Sequence, residues 1–567
     1  MHPRTQLIRI QRGMFRRLRK SARQFLGSFS PSMKKYFLEY LREFHDFKEV
    51  SNKKELLHAI QGAHIVLCGD YHTLSQAQRT VIRLLRDAYP KLLGDGRKLH
   101  LMLEMLRAED KVHTDRFSAS QISEAEFLKL ISFHRNWGFS WENYKQLFRF
   151  AHDRAIGVHG INLGKKRIAP TLKQRDLYAA KVLCDFTARE PSALLFVLVG
   201  DLHLASNHLP KALQMQFEKQ QLKRNVLIIH QNNERFYWKL VELGLEQLVD
   251  VVKIKDGVFC VMNTPPWVKL QSHLKWAELT AESDGPILAS AAARNVEELS
   301  LEAFDTVDHT DEVRELVAVI ANFVGLSDVK IDDFQIHGPN DLSSLERLRE
   351  KGVSPSELKW HARCLSEFPS HFIPEGNTIF LKSLSLNQAA AQAARYLHAK
   401  ASGSKSRFTD PARDFYPTVW EEALGFLGSK IINHKRKCSG LWDLKAVIQS
   451  KKISHDNGEA AELAVQHLLE ENRYLQSEDK VFSEVFFPNR ITFDRLVVYY
   501  KVAKLLGHLL GEGLYQLVWN DGLSQKEMKQ LFRNPFSEPN SSKELYLEMI
   551  ERVDKRGYRN IRKQESL

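Results

Sequence analysis

Two short phrases, Gly69-Asp70-Tyr71-His72 and Gly200-Asp201-Leu202-His203, each follow directly on a run of apolar residues. The runs, Ile65 to Cys68 and Leu194 to Val199, have the unbroken apolar character of strands buried on both faces of a parallel sheet. Each Gly-Asp-x-His therefore starts where a strand ends, and in open α/β sheets ligands bind in the crevice beyond those carboxyl ends. Two further strand ends add Glu104, after His100–Leu103, and Asn162, after Ile156–Ile161. Asp70, His72, Glu104, Asn162, Asp201 and His203 are thus expected to face one crevice. Imidazoles and carboxylates together serve two chemistries: they hold a metal, or a carboxylate orients a histidine as a general base. Arg175, at the start of the helix leading to the fourth strand, adds a fixed cation for a carboxylate or an oxyanion. The duplication gives the phrase its weight, since a single histidine after a strand-ending glycine commonly only satisfies a turn. Asp70 and Asp201 also have a plain structural reading, as acceptors for turn amides.

These side chains need a sheet to carry them. Apolar runs at Ile65–Cys68, His100–Leu103, Ile156–Ile161, Leu194–Val199 and Val226–Ile229 alternate with amphipathic stretches at Gln76–Leu93, Glu124–Phe133, Trp141–His152, Leu172–Phe186 and Leu209–Gln220. The alternation predicts a mostly parallel sheet with crossover helices on its faces. Ser75 and Ser206 stand where N-caps would follow the two histidine phrases, and Val251–Ile254 with Val258–Met262 reads as a closing hairpin. Beyond Pro265-Pro266 the pattern turns helical, as in Glu312–Val324, Ser354–Leu365, Leu386–His398, Thr418–His434, Glu459–Glu470, Phe493–Leu514 and Leu545–Val553. The expected fold is an α/β N-terminal domain followed by an all-α C-terminal domain. Its parts are a basic extension (1–45), the α/β domain (46–275), a linker (276–312) and a helical domain (313–567). The alanines of Leu386–His398 and Gly507-His508-Leu509-Leu510-Gly511 read as internal helix packing. Glu421, Glu422, His434 and Cys438 lack the i, i+4 histidine pair of a zinc helix.

Composition bounds the setting. The 567 residues exceed one hydrophobic core, and 43% hydrophobic content supplies several. Five scattered cysteines without a CxxC pair argue against a disulfide framework or a zinc knuckle and for a reducing, cytoplasmic compartment. Cys68, inside a strand, is expected to be buried and inert. The most apolar stretch, Leu496–Leu514, is broken by Lys501, Lys504, His508 and Glu512, so a soluble chain is expected. Of the net charge of +13, eight units lie before Ser30, where no acid occurs. The simplest account is a solvated basic arm whose apolar residues cap the first domain. Spacing of Leu7, Ile10, Met14, Phe15 and Leu18 also suits an anionic membrane surface, a more fitting partner than nucleic acid.

The ordered set Gly69-Asp70-Tyr71-His72, Leu103-Glu104-Met105, Trp137-Gly138-Phe139, Trp141-Glu142-Asn143-Tyr144, Gly160-Ile161-Asn162, Arg175-Asp176 and Gly200-Asp201-Leu202-His203 resembles the ChaN family of haem-binding proteins. That family stands in a wider group with the Tiki and TraB proteins and the erythromycin esterases, which share paired Gly-x-x-His motifs and an intervening glutamate. The resemblance runs from about Gln61 to Met262. It implies an α/β fold, haem as cofactor and a homodimer, with His72, His203 or Tyr71 as axial ligand and Asp70, Asn162 and Asp201 lining the site. The other branches imply hydrolysis of an amide or ester by His72, Glu104, Arg175 and His203, with a divalent metal on His72, Glu104 and His203. His72, Glu104, Arg175 and His203 match the group's core pattern; Asp70 stands where esterase-like members often carry glutamate. The basic arm lacks a lipidated cysteine, and the helical half has no counterpart in the resemblance.

Overall fold

The structure, a computed structural model, describes residues 2–25, 31–164, 170–281, 309–331, 334–338, 348–350, 353–382, 385–404, 408–449, 454–483 and 492–557. The chain divides into two units, one of Met14–Ser300 with Gln564–Leu567, the other of Met1–Gly13 with Leu301–Lys563.

The first unit is built on eight strands: β1 (Glu49–Ser51), β2 (Ile65–Asp70), β3 (Leu99–Arg107), β4 (Gly157–Asn162), β5 (Leu194–Gly200), β6 (Val226–Gln231), β7 (Val251–Lys255) and β8 (Val258–Val261). Their order across the sheet is β1-β7-β8-β6-β2-β5-β3-β4, parallel except at β7 and its two neighbours. The apolar runs become strands because both faces are covered. On β2, Val66 and Cys68 enter one core and Ile65 and Leu67 the other; on β5, Phe196 and Leu198 alternate with Leu195 and Val197 in the same way. One face is covered by α3 (Lys53–Gly62) and α4 (Ser75–Gly94), through Leu56, Ile60, Val81, Leu84 and Leu85. The other is covered by α9 (Leu172–Arg189) and α10 (Leu209–Gln220), through Ala180, Leu183, Leu209 and Leu213. The chain moves outward from β2 to β3 and β4, then returns through β5 to β6, and right-handed crossovers then put these helices on opposite faces. β2, β5, β3 and β4 are consequently consecutive across the sheet, so all four expected strand ends lie side by side.

Two details differ from the sequence reading. α4 starts at Ser75 itself after Leu74, and α10 follows His208, so neither serine caps a helix; Ser206 is bound by Glu43 instead. The edge strand β1, three residues long and pairing with β7, had too little apolar pattern to be visible.

The second unit is helical. Helices Leu386–Ser402, Pro411–Ile432 and Phe493–Trp519 are packed through small residues. A Cβ at Gly507 would lie 2.6 Å from the Val419 carbonyl oxygen and one at Gly511 2.5 Å from that of Ala423, so the last two helices cross at backbone contact. Glu421 and Glu422 are engaged internally: Arg395 pairs with both, and Tyr500 and Lys504 donate to Glu422 at 3.0 and 2.8 Å. A small sheet, Gln335–His337, Ser370–Ile373 and Thr378–Leu381, accompanies these helices; its strands of three and four residues are too short to show in a periodicity reading. Most of the joint expected at 276–312 lies outside the described residues. Among the described residues no helix is long and apolar enough to cross a membrane. In the basic arm, Met14 and Phe15 are buried, Phe15 edge-on to Trp238, and Arg19 pairs with Glu234.

Candidate functional site

β2 ends at Asp70, and a tight turn, closed by the Leu74 amide on the Tyr71 carbonyl at 2.7 Å, presents His72 before α4 begins. Asp70 Oδ2 lies 2.8 Å from His72 Nδ1 and accepts the Tyr144 hydroxyl at 2.8 Å, while Gln78 donates to Oδ1 at 2.5 Å. A carboxylate only accepts, so the imidazole proton sits on Nδ1 and Nε2 remains for other work. The His72 side chain is 20% exposed. Trp137 and Phe139 pack on it, each at 4.7 Å, and Trp276 of α12 (Pro266–Ala281) stacks on Phe139 at 5.0 Å.

β5 delivers His203 on the adjacent strand end. Its Nδ1 lies 2.5 Å from Asp176 Oδ1, and Asp176 Oδ2 accepts the Tyr36 hydroxyl at 2.5 Å. Burial by itself would lower the affinity of His203 for its second proton. The charge of Glu104 and the hydrogen bond to Asp176 outweigh burial and push the pKa up to about 9. The two carboxylates thus favour the imidazolium form of His203.

Glu104 joins the two histidines. β3 pairs with β5 in register as far as Leu103, and its register against β4 shifts between Leu103 and Arg107, the stretch that carries Glu104. Its Oε2 accepts the Gly200 amide at 2.6 Å, and Oε1 pairs with Arg175. His203 Nε2 approaches Oε1 at 3.4 Å and His72 Nε2 approaches Oε2 at 3.9 Å. Burial opposes the charge on Glu104, but Arg175 first, then His203 and His72, hold its pKa well below the usual carboxylate range. Gly200 sits at the meeting point, where a Cβ would come within 3.2 Å of His72 Nε2 and 3.3 Å of Glu104 Oε2. Two chains of Tyr–Asp–His thus converge on one glutamate that is neutralised by one arginine.

Residues 56–182 match the family model of haem-binding uptake proteins of the Tiki superfamily, ChaN. The sheet-bearing unit contains a ChaN-like domain. The structure described as cofacial heme binding to ChaN of Campylobacter jejuni is similar at 13% sequence identity, covering 34% of this chain and 92% of that one with a TM-score of 0.24. No curated protein matches the chain.

Within the ChaN-like domain and the strands that complete its sheet, the sequence-derived residues fall into two groups. Asp70, His72, Glu104, Arg175 and His203 share one connected network. Asp201 points elsewhere: it accepts from Tyr40 and from His230 Nδ1, the latter at 3.1 Å, beneath Gly69. Tyr71 lies under the Lys269 ammonium at 4.4 Å, and burial together with the nearby Asp201 charge pushes its phenol pKa up. Asn162 closes β4 in register with Arg107, and the hydrogen bonds around Glu104 do not include it. Among the described residues, no three His, Cys, Asp or Glu side chains are arranged to hold a metal ion.

Sequence reasoning missed Asp176, Tyr144, Tyr36, Tyr40 and His230. Asp176 and Tyr144 stand inside the motifs given above, and His230 lies near the end of β6, so the strand-end argument carried one strand further would have found it. Tyr36 and Tyr40 come from α2 (Pro31–Arg42), in the stretch read as a solvated extension. One face of α2 and the turn after it bind the second motif throughout: Tyr36 to Asp176, Glu39 to His208 at 3.0 Å, Tyr40 to Asp201 and Glu43 to Ser206 at 2.6 Å. The i, i+4 spacing of the tyrosines was the only available signal.

Proposed function

We propose that the ChaN-like domain binds a haem-type ligand at its strand ends, with His72 Nε2 as axial donor and Arg175 facing an anionic substituent of the ligand. The observation that carries this reading is the state of His72. Its Nδ1 is fixed by Asp70, its ring is partly exposed, and aromatic faces of Trp137 and Phe139 flank it. A carboxylate behind a ligating imidazole fixes its tautomer and strengthens it as a donor. Haem, when bound, supplies an iron centre that accepts an imidazole lone pair and carboxylates that pair with a guanidinium. The residue types fit: Arg175 is 25% exposed, and the flanking rings are apolar. The family match supports the same cargo. His203, protonated and bound to two carboxylates, serves here as a fixed charge that keeps Glu104 ionised.

A second reading rests on a different observation, the 3.9 Å separation of His72 Nε2 and Glu104 Oε2 beside Arg175. A water bound to both atoms would be deprotonated by His72, and Arg175 would stabilise an oxyanion during amide or ester cleavage. In this route His72 acts as the base by itself; its alternative is a divalent metal on His72, Glu104 and His203.

Titration of the purified protein with haem separates the readings. Binding predicts a Soret band that is lost in His72→Ala and kept in Tyr71→Phe and His203→Ala. Absence of the band, with ester or amide turnover that disappears in His72→Ala, would replace binding by hydrolysis. Stoichiometric manganese, cobalt or zinc lost in His203→Ala would reinstate the metal. Sedimentation with and without haem tests the homodimer that the resemblance implies.

A further inference from the structure

A second pair of imidazoles lies on the same sheet, away from the strand ends. His100 is near the start of β3, four residues before Glu104 and so about 13 Å from it along the strand. His159 is on β4, the edge strand, and both side chains lie on the α9 face beside Phe186, each ring 4.8 Å from it. His100 Nδ1 and His159 Nε2 face each other at 3.2 Å. Glu190, the C-cap of α9, places Oε2 3.2 Å from the other nitrogen of His100.

The protonation pattern follows from these contacts. Glu190 only accepts, so His100 carries its proton on Nε2 and aims the Nδ1 lone pair at His159. Among the described residues no protein partner fixes His159 Nδ1, so the His159 proton can move there and bring a second lone pair to the same point. Two nitrogens bound at 2.0–2.1 Å to a tetrahedral metal stand about 3.3 Å apart. The observed spacing matches that edge. Burial lowers the pKa of both rings. The backbone accommodates the pair through Gly157, where a Cβ would lie 2.7 Å from His100 Nδ1 and 2.9 Å from His159 Nε2. Lys98 pairs with Glu190 at 3.5 Å, and Lys111 and Asp115 add opposing charges near His159.

We infer that His100 and His159 form a binding site for one divalent transition-metal ion of the copper, nickel and zinc class, with Glu190 as the carboxylate behind His100. Imidazole suits these ions, and copper(II) is held most tightly by such donors. With two protein nitrogens, the ion keeps its remaining positions for water or a small anion.

Copper(II) added alone to the full-length protein tests the site. The expected result is one tightly held copper per chain, with electron paramagnetic resonance couplings from two imidazole nitrogens. His159→Ala and His100→Ala should each lose at least 100-fold in affinity, Glu190→Gln should lose 10- to 100-fold, and His72→Ala should bind as the parent does. Circular dichroism verifies that each variant is folded. Failure of the parent to bind stoichiometric copper overturns the site. So does unchanged binding in folded His159→Ala, or a loss confined to His72→Ala, which would move copper to the strand ends.

Discussion

On one side of Glu104, Tyr144, Asp70 and His72 run in series; on the other, Tyr36, Asp176 and His203 run in the same order. The wiring is alike, yet the first ring is 20% exposed among aromatic neighbours and the second 7% exposed under α2. His203 must keep its charge without water and does so through two carboxylates. His72 has one close carboxylate and an open ring edge. Equivalent wiring therefore supports different roles once the cover differs: a stored charge on one side, an accessible donor on the other.

The largest break in this comparison should come from Glu104→Gln. The amide still accepts from the Gly200 backbone but leaves Arg175 and the His203 imidazolium without their shared counter-charge, at a cost of about 3–5 kcal/mol. Denaturant unfolding measures the loss, and nuclear magnetic resonance should show His203 titrating well below 9. An unmoved His203 would assign its charge to Asp176 alone.

Alkaline pH should come next. His203 is raised from an ordinary 6.5 to about 9, so its contribution is complete below 6.5 and disappears as pH climbs through about 9. That is about 3 kcal/mol. Glu104 is lowered from 4.5, so its contribution is present above 4.5 and is lost as pH falls through its folded value. From these two groups, the sheet unit should be most stable between 4.5 and 6.5. Unfolding midpoints across pH 4 to 10 check this, and the alkaline slope should flatten in Asp176→Asn.

Removing one tyrosine hydroxyl at a time sharpens the contrast. Tyr36→Phe and Tyr144→Phe each delete a hydrogen bond to a buried carboxylate, worth about 1.5–3 kcal/mol. Only Tyr144→Phe should also shift the haem absorbance, since it alone acts on the His72 side. Smallest of all should be Ser206→Ala, which removes an exposed contact with Glu43 and should cost under about 1 kcal/mol by thermal melt.

The sheet was legible because β2 and β5 are buried on both faces, so their residues are apolar without interruption. Placement of His72, Glu104 and His203 followed from the rule that strand ends share an edge. What escaped was whatever depends on a partner far along the chain. Asp201 looked equivalent to Asp70, but Tyr40 and His230 claim it, and the carboxylate behind His203 comes from α9 instead. α2 escaped because its inward face is polar: Tyr36, Glu39 and Tyr40 carry no apolar stripe to mark it as packed.

Gly69 carries a consequence for how the two phrases can change over time. A Cβ there would sit 2.0 Å from Asp201 Oδ1, so the first glycine is held small by the second aspartate. A larger residue at position 69 therefore requires Asp201 to move or to be replaced with it, so the second phrase limits what the first can become.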